Sequence, residues 1–133
     1  MVDALITAKR FVYLCTNAVL LTRKIDAFTP SHRFAWVVHV DGLAARHDEA
    51  VDRPGVFDLA VKAIREAKSR GFRVTTNPTF FNTDSSKTVR EVLDFLNDEL
   101  KVDAMMISPA CGRRGGSEAR TLSGRPDPRL FSR

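Results

Sequence analysis

The fold is decided by one stretch, Phe34-Ala35-Trp36-Val37-Val38-His39-Val40-Asp41-Gly42. Its apolar residues form a continuous run, which indicates a strand covered on both faces, as in parallel sheets. The strand ends in polar residues, and the chain continues through His47-Asp48 towards a new helix near Gly55. Because ligands of α/β proteins lie at the carboxyl ends of the strands, we expect a site here.

Apolar runs and helical periodicity alternate on both sides of this strand. Strands are predicted at 11–15, 34–40, 72–76 and 102–107, and helices at 1–10, 20–28, 57–70 and from 84 or 85 to about 100. The run at 11–15 is also continuous, so we expect this strand to be covered on both faces. The alternation predicts an α/β fold with parallel strands in βα repeats. Four strands do not close a barrel, so residues 1–110 are expected to form part of a larger barrel, or a small open sheet.

The last 23 residues differ from the rest of the chain. The net charge is +5, and residues 111–133 hold six arginines against two acidic residues. This segment is rich in glycine and proline and poor in apolar residues, which predicts a disordered tail. Because the remaining residues are nearly neutral, we expect no nucleic-acid partner. The chain has no apolar run long enough for a membrane span and no secretory signal, so we expect a cytoplasmic location.

Polar side chains end all four predicted strands. His39 and Asp41 are two residues apart and therefore share a face of their strand. The other strands end in Thr16-Asn17, Asn77 and Ser108. Together these groups suit a polar ligand such as a ribose. They also favour turns, so an alternative interpretation is that they only mark where the strands stop.

Two other kinds of chemistry are open at these positions. Histidine and carboxylate side chains at 39, 41, 47 and 48 suit Zn²⁺ or Mn²⁺, which would indicate a metal-dependent hydrolase. No third strand end offers such a ligand, however, so we predict no metal site. Cys15 is a candidate nucleophile or hydrogen-atom donor, or else a small buried apolar residue. The two cysteines, Cys15 and Cys111, do not indicate a disulfide framework.

Several motifs together resemble the radical S-adenosylmethionine enzymes, and more narrowly the adenosyl hopene transferases of hopanoid biosynthesis. The resemblance covers about residues 4–110. It rests on Tyr13-Leu14-Cys15-Thr16-Asn17-Ala18, Val38-His39-Val40-Asp41-Gly42, His47-Asp48-Glu49-Ala50-Val51, Gly55-Val56-Phe57-Asp58 and Met106-Ile107-Ser108-Pro109.

The resemblance implies a partial (β/α)₆ barrel, of which residues 1–110 would supply about four βα units. In this family a [4Fe–4S] cluster cleaves S-adenosylmethionine to a 5′-deoxyadenosyl radical, which adds to a hopene (diploptene) to give adenosylhopane. By position, Arg53 would pair with the methionyl carboxylate, and Cys15 would donate a hydrogen atom to the substrate radical. The resemblance further implies an electron donor and, for a lipid substrate, contact with the inner membrane surface. The cofactor would be lined by Thr16, Asn17, His39, Asp41, Asn77 and Ser108.

The chain also departs from this family. The CxxxCxxC cluster motif is absent, and Cys15 and Cys111 are too far apart to replace it, so we expect no cluster on this chain. The resemblance stops at Ala110, which suggests a frameshift as an alternative origin of the tail. We therefore expect a central fragment, inactive alone and prone to self-association through exposed strand edges. The alternatives are a non-catalytic nucleoside-binding module and the metal-dependent hydrolase.

Overall fold

A computed structural model describes residues 1–110, which form a mixed α/β fold with parallel strands. The six strands are β1 (Val12–Thr16), β2 (Phe34–Val38), β3 (Arg73–Thr76), β4 (Thr79–Phe81), β5 (Ala104–Met105) and β6 (Ser108–Ala110). The five α-helices are α1 (Val2–Thr7), α2 (Leu21–Lys24), α3 (Ala44–Ala50), α4 (Val56–Ser69) and α5 (Ser86–Asp94). A 3₁₀ turn, Ile25–Ala27, follows α2, and a π-helical turn, Phe95–Glu99, follows α5.

The main sheet has the order β1-β2-β3-β5, and all its described pairings are parallel. Its register aligns Cys15 with Val37, Val37 with Thr75, and Thr75 with Ala104. A second, two-stranded parallel sheet pairs β4 with β6. Since neighbouring strands of the main sheet run the same way, their carboxyl ends lie at one edge of that sheet.

The hydrophobic core lies between one face of the main sheet and the helices. Helix α4 buries a stripe of small and apolar residues, which includes Ala60, Ala63, Ile64 and Ala67. On the sheet side, the rings of Phe34 and Trp36 pack edge to face with their centroids 5.0 Å apart, and both also contact Phe28 and Phe72. Within residues 1–110 the helices therefore pack on the face that carries Phe34, Trp36 and Val38, and Ala35 and Val37 on the other face lie outside this core.

The prediction that β1 is covered on both faces is wrong. Val12, Leu14 and Thr16 are half-buried, whereas Tyr13 is 54 % exposed and Cys15 is exposed. In the described residues β1 pairs with β2 alone, so it is an edge strand. The prediction for β2 is confirmed, because all five of its residues are buried.

The fourth predicted strand is shorter than expected. Of this segment, Ala104–Met105 forms β5 of the main sheet. Just before it, the carboxylate of Asp103 accepts the backbone N–H of Val74 at 2.7 Å, so a side chain takes the place of a strand carbonyl there. The backbone N–H of Met106 still donates to the carbonyl of Thr76 at 2.8 Å. Beyond it the chain leaves the main sheet, and β6 pairs with β4 instead. Neither β4 nor β6 was expected from the sequence. Helix α3, which lies between the second predicted strand and the helix near Gly55, was not expected either.

No helix within residues 1–110 is both long and apolar enough to cross a bilayer. The predicted boundary between the barrel part and the basic tail falls at residue 111. The tail hypotheses for residues 111–133, disorder or a frameshift, lie outside the described residues and stay predictions.

Candidate functional site

A cavity of about 380 Å³ lies at the carboxyl ends of β1, β2 and β3. Val37 belongs to the sheet face opposite the helices, because its neighbours Trp36 and Val38 are the ones that join the core beneath α4. The cavity therefore opens on the helix-free side of the sheet. It is lined by Cys15, Thr16, Asn17, Val37, His39 and Asn77, of which all but Val37 were predicted as site residues.

Thr16 and Asn17 form one wall of this cavity in a tight turn. The Thr16 hydroxyl accepts the backbone N–H of Ala18 at 3.1 Å, and the Asn17 carbonyl oxygen accepts that of Val19 at 3.3 Å. Ala18 is buried and has a left-handed φ of 65°. The turn is therefore fixed by the packing of Ala18 as well as by the two side-chain hydrogen bonds. These bonds use acceptor atoms only, which leaves the Thr16 hydroxyl proton and the Asn17 amide N–H groups as donors.

His39 and Asp41 form an ion pair at the end of β2. Nε2 of His39 lies 2.5 Å from Oδ2 of Asp41, and Oδ1 of Asp41 accepts the backbone N–H of Thr79 at 3.1 Å. Asp41 is buried, whereas the His39 side chain is 41 % exposed. The carboxylate therefore anchors the imidazole, which presents its exposed part to the cavity.

The pair also shifts the pKa of both members. The hydrogen bond to Asp41 raises the pKa of His39 above 6.5, against the opposing effect of burial, with further help from the Asn77 backbone. Burial by itself would raise the pKa of Asp41, but the hydrogen bonds from His39 and Thr79 outweigh it and lower that pKa below 3.8. At a pH between the lowered pKa of Asp41 and the raised pKa of His39, the pair therefore consists of a carboxylate anion and an imidazolium cation.

Asn77 forms the third wall and connects the cavity to the predicted residue Ser108. The backbone N–H of Asn77 donates to the Val38 carbonyl at 3.2 Å, which extends the β2–β3 ladder by one residue. The Ser108 hydroxyl donates to Oδ1 of Asn77 at 3.1 Å. Ser108 thus contacts a lining residue rather than lining the cavity itself, and it orients the Asn77 amide so that its N–H groups remain as donors.

His47 and Asp48 have structural contacts that the sequence did not indicate. Nδ1 of the buried His47 accepts the backbone N–H of Asp41 at 3.1 Å, and burial lowers the pKa of His47 below 6.5. The Asp48 carboxylate accepts the backbone N–H groups of Gly55 at 2.6 Å and Phe57 at 2.8 Å, which lowers its pKa. Asp48 therefore caps α4 from α3, and neutral His47 supports the backbone below the ion pair.

A second ion pair, Arg46–Asp84, was also missed. It joins α3 to the turn before α5, and Oδ2 of Asp84 further accepts the backbone N–H of Phe81 at 2.7 Å. The guanidinium of Arg46 lies 5.8 Å from the centroid of the Phe80 ring, and its stem lies against Gly42. The loop after β2 is thus held to β4, which positions Asp41 opposite Thr79.

Two further predicted residues differ in their placement. Cys15 carries a free thiol on the cavity side of β1. Arg53 is exposed between α3 and α4 and is not one of the residues lining the cavity. Within residues 1–110, no group of three or more histidine, cysteine or acidic side chains is placed to hold a metal ion.

Comparisons with known proteins add no assignment, since no family model matches the sequence and no curated protein matches it significantly. The radical S-adenosylmethionine resemblance therefore remains a prediction from the quoted motifs. The geometry describes a neutral, donor-rich cavity beside one zwitterionic pair. Such a site can bind the hydroxyl and ring acceptor atoms of an uncharged polar ligand.

Proposed function

We propose that the strand-end cavity binds the adenosyl group of S-adenosylmethionine. In this proposal residues 1–110 form part of a (β/α)₆ barrel of a radical enzyme that transfers the 5′-deoxyadenosyl group to a hopene. The observation that carries the proposal is the cavity itself, because five of the predicted site residues, from three strand ends, line one space. The sequential order of parallel strands in the main sheet supports the barrel part.

The size and position of the cavity support a small-molecule ligand. Its volume of about 380 Å³ lies within the range of about 300–1,000 Å³ that is usual for ligand sites. Ligands of α/β folds bind at the carboxyl ends of the strands, where this cavity lies.

The electrostatics support a nucleoside rather than a nucleotide. Among the residues described, those lining the cavity include no lysine or arginine, and the charge of His39 is balanced by Asp41. A phosphate would lack the cationic partner that such ligands usually find. Ribose hydroxyls and adenine nitrogens are instead matched by the donors of Thr16, Asn17 and Asn77.

The iron–sulfur cluster of the family does not fit the residues of this chain. The sequence has two cysteines, Cys15 and Cys111, and neither lies in a CxxxCxxC segment. Any cluster would be held by cysteines outside these 133 residues. The role proposed for Cys15 is to donate a hydrogen atom to a substrate radical, from its exposed thiol beside the cavity. The proposal places the chain in the cytoplasm, at the inner membrane surface where a hopene would be met.

Binding can be measured by isothermal titration calorimetry with S-adenosylmethionine and with 5′-deoxyadenosine. We expect Asn77→Ala to weaken both by about 2- to 12-fold, the equivalent of one neutral hydrogen bond. Asn97→Ala is the matched control, because Asn97 is exposed on the π-helical turn after α5 and should leave both affinities unchanged. Equal effects of the two substitutions, or no saturable binding by the parent chain, would refute the proposal.

A non-catalytic nucleoside-binding module is the second candidate, and the same donor-rich cavity favours it. The two candidates differ in how the methionyl end of the ligand is bound. In the first candidate Arg53 pairs with the methionyl carboxylate, and in the second no residue contacts it. Under the first, Arg53→Gln weakens binding of S-adenosylmethionine but not of 5′-deoxyadenosine, while Arg65→Gln on the exposed side of α4 changes neither. Under the second, adenosine binds as tightly as S-adenosylmethionine, and neither arginine matters.

A further inference from the structure

The buried imidazole of His47 can support Asp41 in one protonation state only. Its Nδ1 accepts the backbone N–H of Asp41 at 3.1 Å, and His47 is 1 % exposed. An imidazole nitrogen that accepts a hydrogen bond carries no proton, so the proton of neutral His47 lies on Nε2. A second proton would have to bind Nδ1, where it would face the N–H of Asp41, donor against donor. Protonation of His47 therefore breaks this hydrogen bond.

The surroundings of His47 offer few partners to a second proton. Nε2 is buried and has no hydrogen-bond partner among the described residues. The charged groups that act on the ring are Asp41, His39 and Asp48, and helix α4 contributes the uncharged ring of Phe57, at 6.1 Å between centroids. The carboxylate of Asp41 is engaged with His39 and a backbone N–H, and that of Asp48 with two backbone N–H groups. A charged His47 would therefore be buried without adequate partners.

The loss of this hydrogen bond would reach the cavity through Asp41. Oδ2 of Asp41 lies 2.5 Å from Nε2 of His39, and its Oδ1 accepts the backbone N–H of Thr79 at 3.1 Å. These contacts hold the imidazole of His39 in the wall of the cavity. Asp41 is buried, and a buried N–H without an acceptor is costly, so we expect this segment to move until water reaches it. His39 would then lose its anchor.

We propose that His47 is a positioning residue of the candidate site, so that the cavity holds its ligand only while this imidazole is neutral. The proposal rests on the function proposed above, nucleoside binding at the strand ends, and adds a regulation by pH. His47 is not one of the residues lining the cavity and acts through Asp41 and His39. Acidification then releases the nucleoside from a chain that is still folded.

The pH range separates His47 from the other two members of this network. Burial lowers the pKa of His47 below 6.5, whereas the hydrogen bond to Asp41 raises the pKa of His39 above 6.5. Burial by itself would raise the pKa of Asp41, but its hydrogen bonds keep that pKa below 3.8. On acidification from about pH 6.5, His39 is thus already an imidazolium and Asp41 stays a carboxylate. Of the three groups, His47 is the one that changes its charge.

Titration calorimetry of the full chain with 5′-deoxyadenosine tests the proposal, one pH unit above and one below the His47 pKa that NMR of the imidazole gives. If only the neutral form binds, the affinity falls about tenfold between these two conditions. His47→Asn keeps a side-chain acceptor but cannot titrate, so we expect the parent affinity at the higher pH and no loss at the lower one. His47→Phe lacks an acceptor and should bind at least about fivefold more weakly at both. His32→Asn, at an exposed histidine, is the matched control and should keep the profile of the parent chain.

Amide hydrogen exchange of the ligand-free chain separates this proposal from nucleoside binding itself. We expect the protection of the Asp41 amide to fall at the lower pH in the parent chain but not in His47→Asn, while the fluorescence of Trp36 stays that of the folded chain. An unchanged Asp41 amide, an affinity that does not change with pH, or a loss of binding that accompanies unfolding would overturn the proposal. The expected exchange without saturable binding at either pH would refute nucleoside binding, and would support the positioning of Asp41 by His47.

Discussion

Replacing Asp41 with asparagine tests the ion pair at the cavity while preserving the shape of the side chain. The remaining carbonyl oxygen can still accept the backbone N–H of Thr79, which Oδ1 accepts at 3.1 Å in the parent chain. The charged interaction between Oδ2 of Asp41 and Nε2 of His39 is removed. The substitution thus isolates the contribution of the charge to stability and to the protonation of His39.

The expected size of the effect follows from the burial of the two partners. A hydrogen bond to a charged group contributes about 1.5–3 kcal/mol when buried, and a fully exposed ion pair contributes less than about 1 kcal/mol. The Asp41 side chain is 11 % exposed and that of His39 is 41 % exposed. For this intermediate case we expect Asp41→Asn to lower the free energy of unfolding by about 1–2 kcal/mol.

The effect depends on pH in a defined window. The pKa of His39 in the folded chain is raised above 6.5, so its contribution is complete below about pH 6.5 and is lost as the pH rises through the raised pKa. The pKa of Asp41 is lowered below 3.8, so its contribution is present above about pH 3.8 and is lost as the pH falls through the lowered pKa. The difference in the free energy of unfolding between the parent chain and Asp41→Asn should therefore be greatest between about pH 3.8 and about pH 6.5.

Urea denaturation followed by the fluorescence of Trp36, the single tryptophan, measures this difference. We expect a loss of stability at about pH 5.5 that shrinks at about pH 9. An NMR titration should show that the pKa of His39 is lower in the variant than in the parent chain. Equal stability at the lower pH, together with an unchanged pKa of His39, would refute the assigned pair.

Three further predictions concern the surroundings of the site. Phe34→Ala should lower the free energy of unfolding by about 3–5 kcal/mol because Phe34 is buried in the aromatic cluster. Phe11→Ala, at an exposed ring that contacts only the Arg33 guanidinium among the aromatic and cationic pairs of residues 1–110, should lower it by less than about 1 kcal/mol. Similar urea midpoints for the two variants would contradict the core assignment. Gly42→Ala should cost about 1–3 kcal/mol, because its Cβ would lie 2.5 Å from Cδ of Arg46, and an unchanged melting temperature would contradict that close approach. Since burial lowers the pKa of His47 below 6.5, its contribution is present above about pH 6.5 and is lost as the pH falls. His47→Gln should therefore flatten the acid limb of the stability profile, and a limb as steep as that of the parent chain would refute neutral burial.

Much of the fold could be predicted from local sequence patterns. The continuous apolar run of β2 and the apolar stripe of α4 predicted both elements to within two residues at each end. The last helix was predicted to begin at residue 84 or 85, and Ser85 is its N-cap, since its hydroxyl accepts the backbone N–H of Thr88 at 3.1 Å. These signals are local and strong, because each element buries one face or both faces over its whole length.

The elements that were missed depend on contacts between distant residues. Helix α3 has no apolar stripe that would predict it. It is anchored instead by buried His47, whose Nδ1 accepts the backbone N–H of Asp41. Strands β4 and β6 have three residues each and pair across a long sequence separation, beginning with Thr79 and Ser108. Nothing in a short sequence window indicates such a pairing.

The site was predictable to the extent that it follows from strand ends. The rule that parallel strands end at one edge brought Thr16, His39 and Asn77 to the same cavity. The rule does not distinguish a residue that lines the cavity from one that supports a lining residue, as Ser108 does for Asn77. The rule also makes no prediction for Arg53, because this exposed residue lies between α3 and α4 and not at a strand end.

Chemical-shift mapping with 5′-deoxyadenosine tests the central claim, nucleoside binding at the strand ends, most directly. The claim predicts saturable shifts of the backbone amides at positions 15–17, 39 and 77, which line the cavity. Another depression, of about 630 Å³, lies along α5 and is lined in part by Ser86, Val89 and Arg90. Shifts confined to that helix, or no saturable shifts among the assigned amides, would contradict the claim.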